Sequence, residues 1–106
     1  MTETLERIVG PVNIASGTSS VFTGTSGHVY TVKNIRIVNT TADTVTVALG
    51  IGGVADADLI LASTDLGPSE SCEFDGVLVL AGTDTLQADA SESGLTITMS
   101  GLDQGP

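Results

Sequence analysis

The amino-acid sequence predicts an all-β domain, an antiparallel β-sandwich of jelly-roll type with about eight short strands and an extended N-terminal arm. Two alternating apolar segments, 35–38 and 45–49, flank the polar tetrad Thr40-Thr41-Ala42-Asp43, which is typical of a β-hairpin. Turn residues recur at intervals of about ten residues, as in sandwiches and jelly rolls. No segment has helical apolar spacing over enough residues to matter.

The predicted strands follow one another quickly and are separated by turns rich in Gly, Asp and Ser. They cover residues 12–15, 19–23, 28–39, 44–51, 58–62, 70–74, 77–80, 85–89 and 95–100. One of the predicted turns is Asp75-Gly76. Around one domain at residues 12–101, we expect an arm at 1–11 and a flexible tail at 102–106.

The long strand 28–39 changes the parity of its apolar residues. Tyr30 and Val32 occupy even positions, whereas Ile35 and Ile37 occupy odd ones. A regular strand would turn one of these pairs away from the core, because side chains alternate between the two faces. A β-bulge near Lys33-Asn34 would keep both pairs on the core face, and we predict one there.

Two apolar segments exceed what a simple two-layer core needs. Residues 77–80, Val-Leu-Val-Leu, are apolar on both faces, so either a loop or the arm covers the second face, or it is a subunit interface. In the arm, Leu5, Ile8 and Val9 are the only apolar anchors. The arm is either a frayed terminus or a segment ordered on a neighbouring subunit.

The net charge of −10 arises from 13 acidic residues against Arg7, Lys33 and Arg36. Such a surface repels phosphate backbones and anionic lipid, which argues against nucleic-acid and membrane partners. The first residues lack the cationic and apolar regions of a secretion signal, and no apolar run approaches membrane-spanning length. We therefore expect a soluble chain made in a cytoplasm. The single Cys72 alternates with Phe74 and is expected to point into the core.

Residues suited to catalysis or cofactor binding are few. The only histidine, His28, lies in a Gly-rich turn and is expected to be exposed. No serine lies in a Gly-x-Ser-x-Gly motif, and Asp56 and Asp58 lack the further ligands of a calcium loop. The sequence therefore predicts a non-enzymatic protein with no cofactor and no metal site.

Residues 21–41, 74–88 and 94–101 resemble small virion proteins of tailed bacteriophages. The shared features are a strand, a turn and a long strand ending in Ile-x-Ile-x-Asn-Thr, followed by an apolar strand, a Gly-Asp turn, a Leu-Gln-Ala strand and a Thr-rich last strand. The chain departs from the family at residues 24–27, Gly-Thr-Ser-Gly, where Pro-Ala-Gly-Lys is usual. These virion proteins are capsid decoration (cement) proteins, head fibres or minor tail components.

The resemblance implies a decoration protein that binds the outer surface of the assembled head and stabilises it. It also implies the major capsid protein as partner, self-association as a homotrimer, and location on the virion after synthesis in the host cytoplasm. A minor tail or fibre component is the first alternative. A stand-alone carbohydrate-binding sandwich is the second, disfavoured because Phe22, Tyr30 and Phe74 are more simply placed in the core. The candidate subunit or capsid contacts are Leu5, Ile8, Val9, Lys33, Arg36, Leu59, Leu61, Val77 and Val79.

Overall fold

A computed structural model describes residues 6–55 and 58–105 and confirms the predicted β-sandwich. The described residues form eight strands. These are β1 (Glu6–Ile14), β2 (Gly17–Thr23), β3 (Val29–Asn39), β4 (Val45–Ile51), β5 (Leu59–Leu66), β6 (Ser71–Ala81), β7 (Thr85–Ala90) and β8 (Leu95–Gln104).

The strands form two four-stranded antiparallel sheets. Sheet I has the order β1-β8-β3-β6, and sheet II has the order β2-β7-β4-β5. The chain crosses between the sheets after every strand except β4, which is followed by its neighbour β5. This is the arrangement of an eight-stranded jelly roll.

The core between the sheets is almost entirely aliphatic. Every second side chain of β4, of β8 and of each half of β3 points inward, as the 2-residue period of a strand requires. Each large side chain buried in this way contributes roughly 1.5–3 kcal/mol of transfer free energy. The largest fully buried side chains are those of Ile14, Val32, Ile35, Ile37, Val45, Val47, Leu49, Leu80, Leu86, Leu95, Ile97 and Met99.

The predicted bulge in the long strand is confirmed. Val32 pairs with Gly101 and Asn34 pairs with Ser100, so Lys33 is the extra residue on β3. As a result both pairs of opposite parity, Tyr30 with Val32 and Ile35 with Ile37, are buried in the core. Gly101 fits here because a Cβ atom would overlap the carbonyl oxygen of Thr31.

The predicted turn at Asp75-Gly76 is wrong, because β6 runs without interruption from Ser71 to Ala81. Asp75 pairs with Asn34 and Leu78 pairs with Val32, so two residues of β6 lie opposite Lys33. Gly76, with a φ of 152°, takes part in this irregularity. The Asp-Gly pair that signals a turn also suits a bulge, and pairing with β3 favours the bulge here.

Sheet I also extends beyond the predicted first and last strands. Residues 6–11 of the predicted arm belong to β1, with Glu6 paired to Gly101, and Leu5 lies outside the described residues. The register shifts between Val9 and Val12, at the Gly10-Pro11 pair. The predicted start at Val12 is too late, because backbone pairing continues where the side-chain alternation is interrupted. For the same reason, β8 ends at Gln104 instead of residue 100.

Asn39, at the end of β3, has a buried polar side chain whose amide nitrogen and oxygen are both hydrogen-bonded. Its Nδ2 donates to the carbonyl oxygens of Asp43 and Leu66 at 2.8 Å and of Gly67 at 3.0 Å. Its Oδ1 accepts from the backbone N–H and the hydroxyl of Thr41 at 2.9 and 2.8 Å. Asn39 thereby fastens the loops at this end of the sandwich to β3.

Candidate interaction surface

The outer side of sheet I carries an apolar patch that consists of Val29, Val77 and Val79. Their side chains are 37%, 65% and 54% exposed. Val79 pairs with Thr31 and Ala81 pairs with Val29, so the patch covers adjacent positions on β3 and β6. Between the exposed valines of β6, Leu78 is half-buried, and Leu80 beyond them is fully buried. Residues 77–80 are therefore apolar on both sides, and the second side faces outward.

All three basic residues of the chain lie on this same outer side. Arg7 pairs with Ser100 and Arg36 pairs with Thr98, two residues that alternate with the buried Ile97 and Met99. Lys33, the extra residue of the bulge, is exposed beside them. Their gathering depends on the order β1-β8-β3, which the sequence does not show directly.

The basic residues are mostly free of carboxylates. Arg36 Nη1 lies 3.4 Å from Glu73 Oε1, with both side chains about half exposed. Neither Arg7 nor Lys33 has a carboxylate oxygen within 4.0 Å among residues 6–55 and 58–105. Arg7 and Lys33 are thus two cations on one face that have no acidic partner among the described residues, on a chain with 13 acidic residues.

The other candidate contact residues are distributed differently. Val9 is 9% exposed and belongs to the core, opposite Met99. Ile8 is half-buried and packs against the core. Leu59 and Leu61 are half-buried on β5, the edge of sheet II nearest to β6. The structure thus brings together Lys33, Arg36, Val77 and Val79, and it does not add Val9 to them.

The outer side of sheet II carries a shallow open pocket of about 280 Å³. Its charged lining residue is Asp89, and the remaining lining is small or aliphatic. The lining residues are Thr46, Ala48, Val54, Leu59, Ser63, Asp89 and Ser91. The outer sides of the two sheets therefore differ, since the cations lie on sheet I and the pocket lies on sheet II.

The polar groups elsewhere offer little reactive chemistry. His28 Nδ1 lies 2.8 Å from Asp103 Oδ1, and the imidazole stacks on the ring of Tyr30 at 5.8 Å. His28 is half-buried and not fully exposed as expected, because this stacking and pairing cover it. Cys72 is half-buried against the core, and burial raises the pKa of its thiol, which disfavours the reactive thiolate at neutral pH.

The described part of the chain, residues 6–55 and 58–105, shows where the acidic and aromatic side chains lie. No group of three or more His, Cys, Asp or Glu side chains is placed to hold a metal ion there, and Asp56 lies outside that part. Phe22 and Tyr30 pack edge to face at 4.9 Å, with Tyr30 buried. No helix among these residues is long and apolar enough to cross a membrane.

The strand order and the two four-stranded sheets define a small jelly-roll protein. No protein-family profile and no curated protein sequence matches the chain. Among solved structures, the chain is similar to a protein of the T13 particle of IBDV, an icosahedral virus, with 10% identity and a TM-score of 0.57. That alignment covers 98% of this chain and 31% of the viral protein, so the chain spans about a third of its length.

A second similarity is to a subunit of Bacillus endospore appendages, which form disulfide-linked pili. Identity is 14%, the TM-score is 0.52, and the alignment covers 99% of this chain and 91% of the other. At such low identity, both similarities show the fold alone. The chain thus shares its fold with part of a protein of an icosahedral viral particle and with a pilus subunit of about its own size.

Proposed function

We propose that this chain is a non-enzymatic structural protein of a virion, a decoration protein that binds the outer surface of an assembled capsid. The observation that supports this proposal is the outer side of sheet I, where the apolar patch lies beside Arg7, Lys33 and Arg36. This face combines apolar area with unpaired charge, which suits contact with a protein surface. The capsid-like jelly roll is consistent with such a role.

A decoration protein stabilises a capsid through the free energy of binding to its assembled form. A protein that binds the assembled shell and not its dissociated subunits shifts the equilibrium toward the shell. A net charge of −10 suits the outside of a particle better than its interior, because packaged DNA would repel this chain. In this proposal the partner is the major capsid protein, the place is the capsid exterior, and copies of the chain associate with one another.

A tail or fibre component is the second candidate, favoured by the similarity to a subunit of endospore pili. Those pili are disulfide-linked, and a continuous disulfide-linked polymer needs at least two cysteines per subunit. This chain contains only Cys72. A fibre built from it would therefore be held by non-covalent contacts.

The experiment is a binding assay with capsids that lack this chain, assembled from the major capsid protein of the phage that encodes it. We expect the purified chain to sediment with these capsids and to raise their temperature of disruption. Absence of binding to intact capsids would remove the decoration proposal. Binding to isolated tails instead would favour the second candidate.

The variant Lys33→Gln tests which face is bound. We expect it to weaken capsid binding several-fold, and we expect added salt to weaken binding by the unaltered chain, because screening reduces attraction between opposite charges. Ser63→Glu is the matched control, since it also lowers the net charge by one and lies on the outer side of sheet II. Equal effects of the two variants would show that total charge matters rather than this face.

A further inference from the structure

The sandwich has four edge strands, and three of them carry features that discourage pairing with another chain. On β1, Pro11 cannot donate a hydrogen bond and the register shifts twice. On β5, Asp65 is charged and the register also shifts twice. β2 has seven residues and one shift. Bulges, charges, proline and short length are the usual protections of an exposed edge.

Residues 77–81 of β6 have none of these protections in their own sequence, and the neighbouring Asp84 contacts this edge at Ala81. Residues 77–81 contain no charge and no proline. From Leu78 to Ala81 the strand keeps an unbroken register with β3, opposite residues Val29 to Val32. Val77 and Val79 beside this edge are the most exposed of the large hydrophobic residues in the described part of the chain. An exposed, regular and apolar edge of this kind is a site for strand addition.

The hydrogen-bond pattern identifies the open backbone groups. The N–H of Gly82 donates to the carbonyl oxygen of His28 at 2.8 Å, toward β3. The direction of the backbone N–H and carbonyl groups alternates along an antiparallel strand. The N–H and carbonyl of Leu80 and of Leu78 therefore also face β3, whereas those of Ala81 and Val79 face the open edge.

Asp84 already occupies the outward groups of Ala81. Its Oδ2 accepts from the N–H of Ala81 at 2.9 Å, and its own N–H donates to the carbonyl oxygen of Ala81 at 3.2 Å. The N–H and carbonyl of Val79 therefore form the open donor and acceptor pair of this regular segment.

We propose that two copies of the chain pair through this edge, antiparallel about a twofold axis near Val79, and form one continuous eight-stranded sheet. The Val79 residues of the two copies would exchange N–H···O bonds across the axis. A second copy fits because the outward N–H and carbonyl of Val79 are complementary to those of another Val79 about a twofold axis, and residues 77–81 themselves carry no charge. Glu73 and Asp75 of one copy then lie on the opposite side of the axis from Glu73 and Asp75 of the other copy, because the two paired strands run in opposite directions.

The pairing also changes the exposed surface. Val79 of each copy lies opposite Val79 of the other, Val77 lies opposite Ala81 of the other, and the two apolar patches meet across the axis. This inference goes beyond the proposed function and does not depend on it, since it concerns the isolated chain. Sedimentation of the full chain without capsids therefore tests it separately, and its failure would leave capsid binding open.

The decisive variant is Val79→Pro, studied by concentration-dependent analytical ultracentrifugation. Proline removes the outward N–H of Val79 and no bond to β3, and proline is tolerated on an edge strand at such a position. We expect a dimer for the unaltered chain and at least a tenfold higher dissociation constant for Val79→Pro. Val79→Thr is the matched control, because it keeps the N–H and nearly the same shape. It should remain dimeric.

A second variant keeps the proposal testable if Val79→Pro does not fold. Val79→Glu places two carboxylates against each other at the axis, where like charges directly opposite are destabilising. We expect it to be monomeric, while Thr18→Glu, with the same added charge on the exposed edge of β2, stays dimeric. Circular dichroism checks the fold of each variant.

The salt dependence of dimer formation is an independent test. Because both copies carry a charge of −10, raising NaCl from about 0.05 to about 0.5 M should tighten the dimer. An unaltered chain that stays monomeric at millimolar concentration would overturn the inference. A trimer, as expected from the sequence, would also overturn it in favour of a contact between two different edges. Equal weakening by Val79→Pro and Val79→Thr would indicate packing of side chains instead of strand pairing.

Discussion

The two halves of the β3–β6 strand pair differ on their outer sides, and the bulge at Lys33 separates them. On one side of the bulge, Arg36 pairs with Glu73 and Asn34 donates to Asp75 at 2.8 Å. On the other side, the outward residues include Val29, Val77 and Val79 and none is charged. The inner sides of both halves are equally apolar. One strand pair thus supplies a charged surface and an open apolar edge, and the bulge marks the boundary between them.

Deleting Lys33 should have the largest effect on this difference. Removing the extra residue would restore a regular strand and turn two large buried side chains outward, either Tyr30 and Val32 or Ile35 and Ile37. At roughly 1.5–3 kcal/mol for each side chain, the loss approaches the whole stability of a small domain. We expect no cooperative thermal unfolding of the deletion variant by circular dichroism.

Lys33→Ala is the control for this deletion, because it keeps the residue and removes only an exposed side chain. Its free energy of unfolding should stay within about 0.5 kcal/mol of that of the unaltered chain. A deletion variant that unfolds cooperatively at the same temperature as the unaltered chain would contradict this prediction. It would show that the bulge is not needed to bury both pairs of side chains.

In the apolar half of the strand pair, substitutions on the inner side should lower the free energy of unfolding more than substitutions on the outer side. Leu80 is fully buried, and Leu80→Ala should lower the free energy of unfolding by about 2–5 kcal/mol through lost burial and a cavity. The neighbouring Val79 is 54% exposed, and Val79→Ala should cost less than about 1 kcal/mol in the monomer. Denaturant unfolding at low protein concentration measures both. Similar losses would mean that Val79 is packed in the free chain.

The smallest effect concerns the charged half. Arg36 and Glu73 are 3.4 Å apart with side chains 55% and 44% exposed, so water and salt screen their attraction. A double-mutant cycle with Arg36→Gln and Glu73→Gln should give a coupling energy of about 0.2–1 kcal/mol. A coupling well above this range would mean that the ion pair, and not the core beneath it, fixes this half of the sheet.

Features that depend on neighbouring residues could be predicted from the sequence. The change of parity between Val32 and Ile35 located the bulge, because burial must alternate along a strand. The doubly apolar segment 77–80 indicated either a second face covered by a loop or the arm, or a subunit interface, and Val77 and Val79 are exposed on that face. Features that depend on distant pairing were missed or misplaced. Asp75-Gly76 fits a turn and a bulge alike, Val9 is in the core because β8 holds β1, and Arg7 joins Lys33 only through the order of the strands.

The hydrogen bonds of Asn39 imply that the two ends of the sandwich open at different rates. At its end, three backbone carbonyls and Thr41 are tied to one buried side chain. At the opposite end, where residues 77–81 lie, the side-chain bonds among the described residues are spread over separate pairs, such as His28 with Asp103 and Asp84 with Ala81, and none of them joins three backbone carbonyls as Asn39 does. Amide protons of β6 should therefore exchange with solvent faster after the bulge than before it. Association at the open edge would slow exchange there first, so the least protected end of the molecule would gain most from a partner.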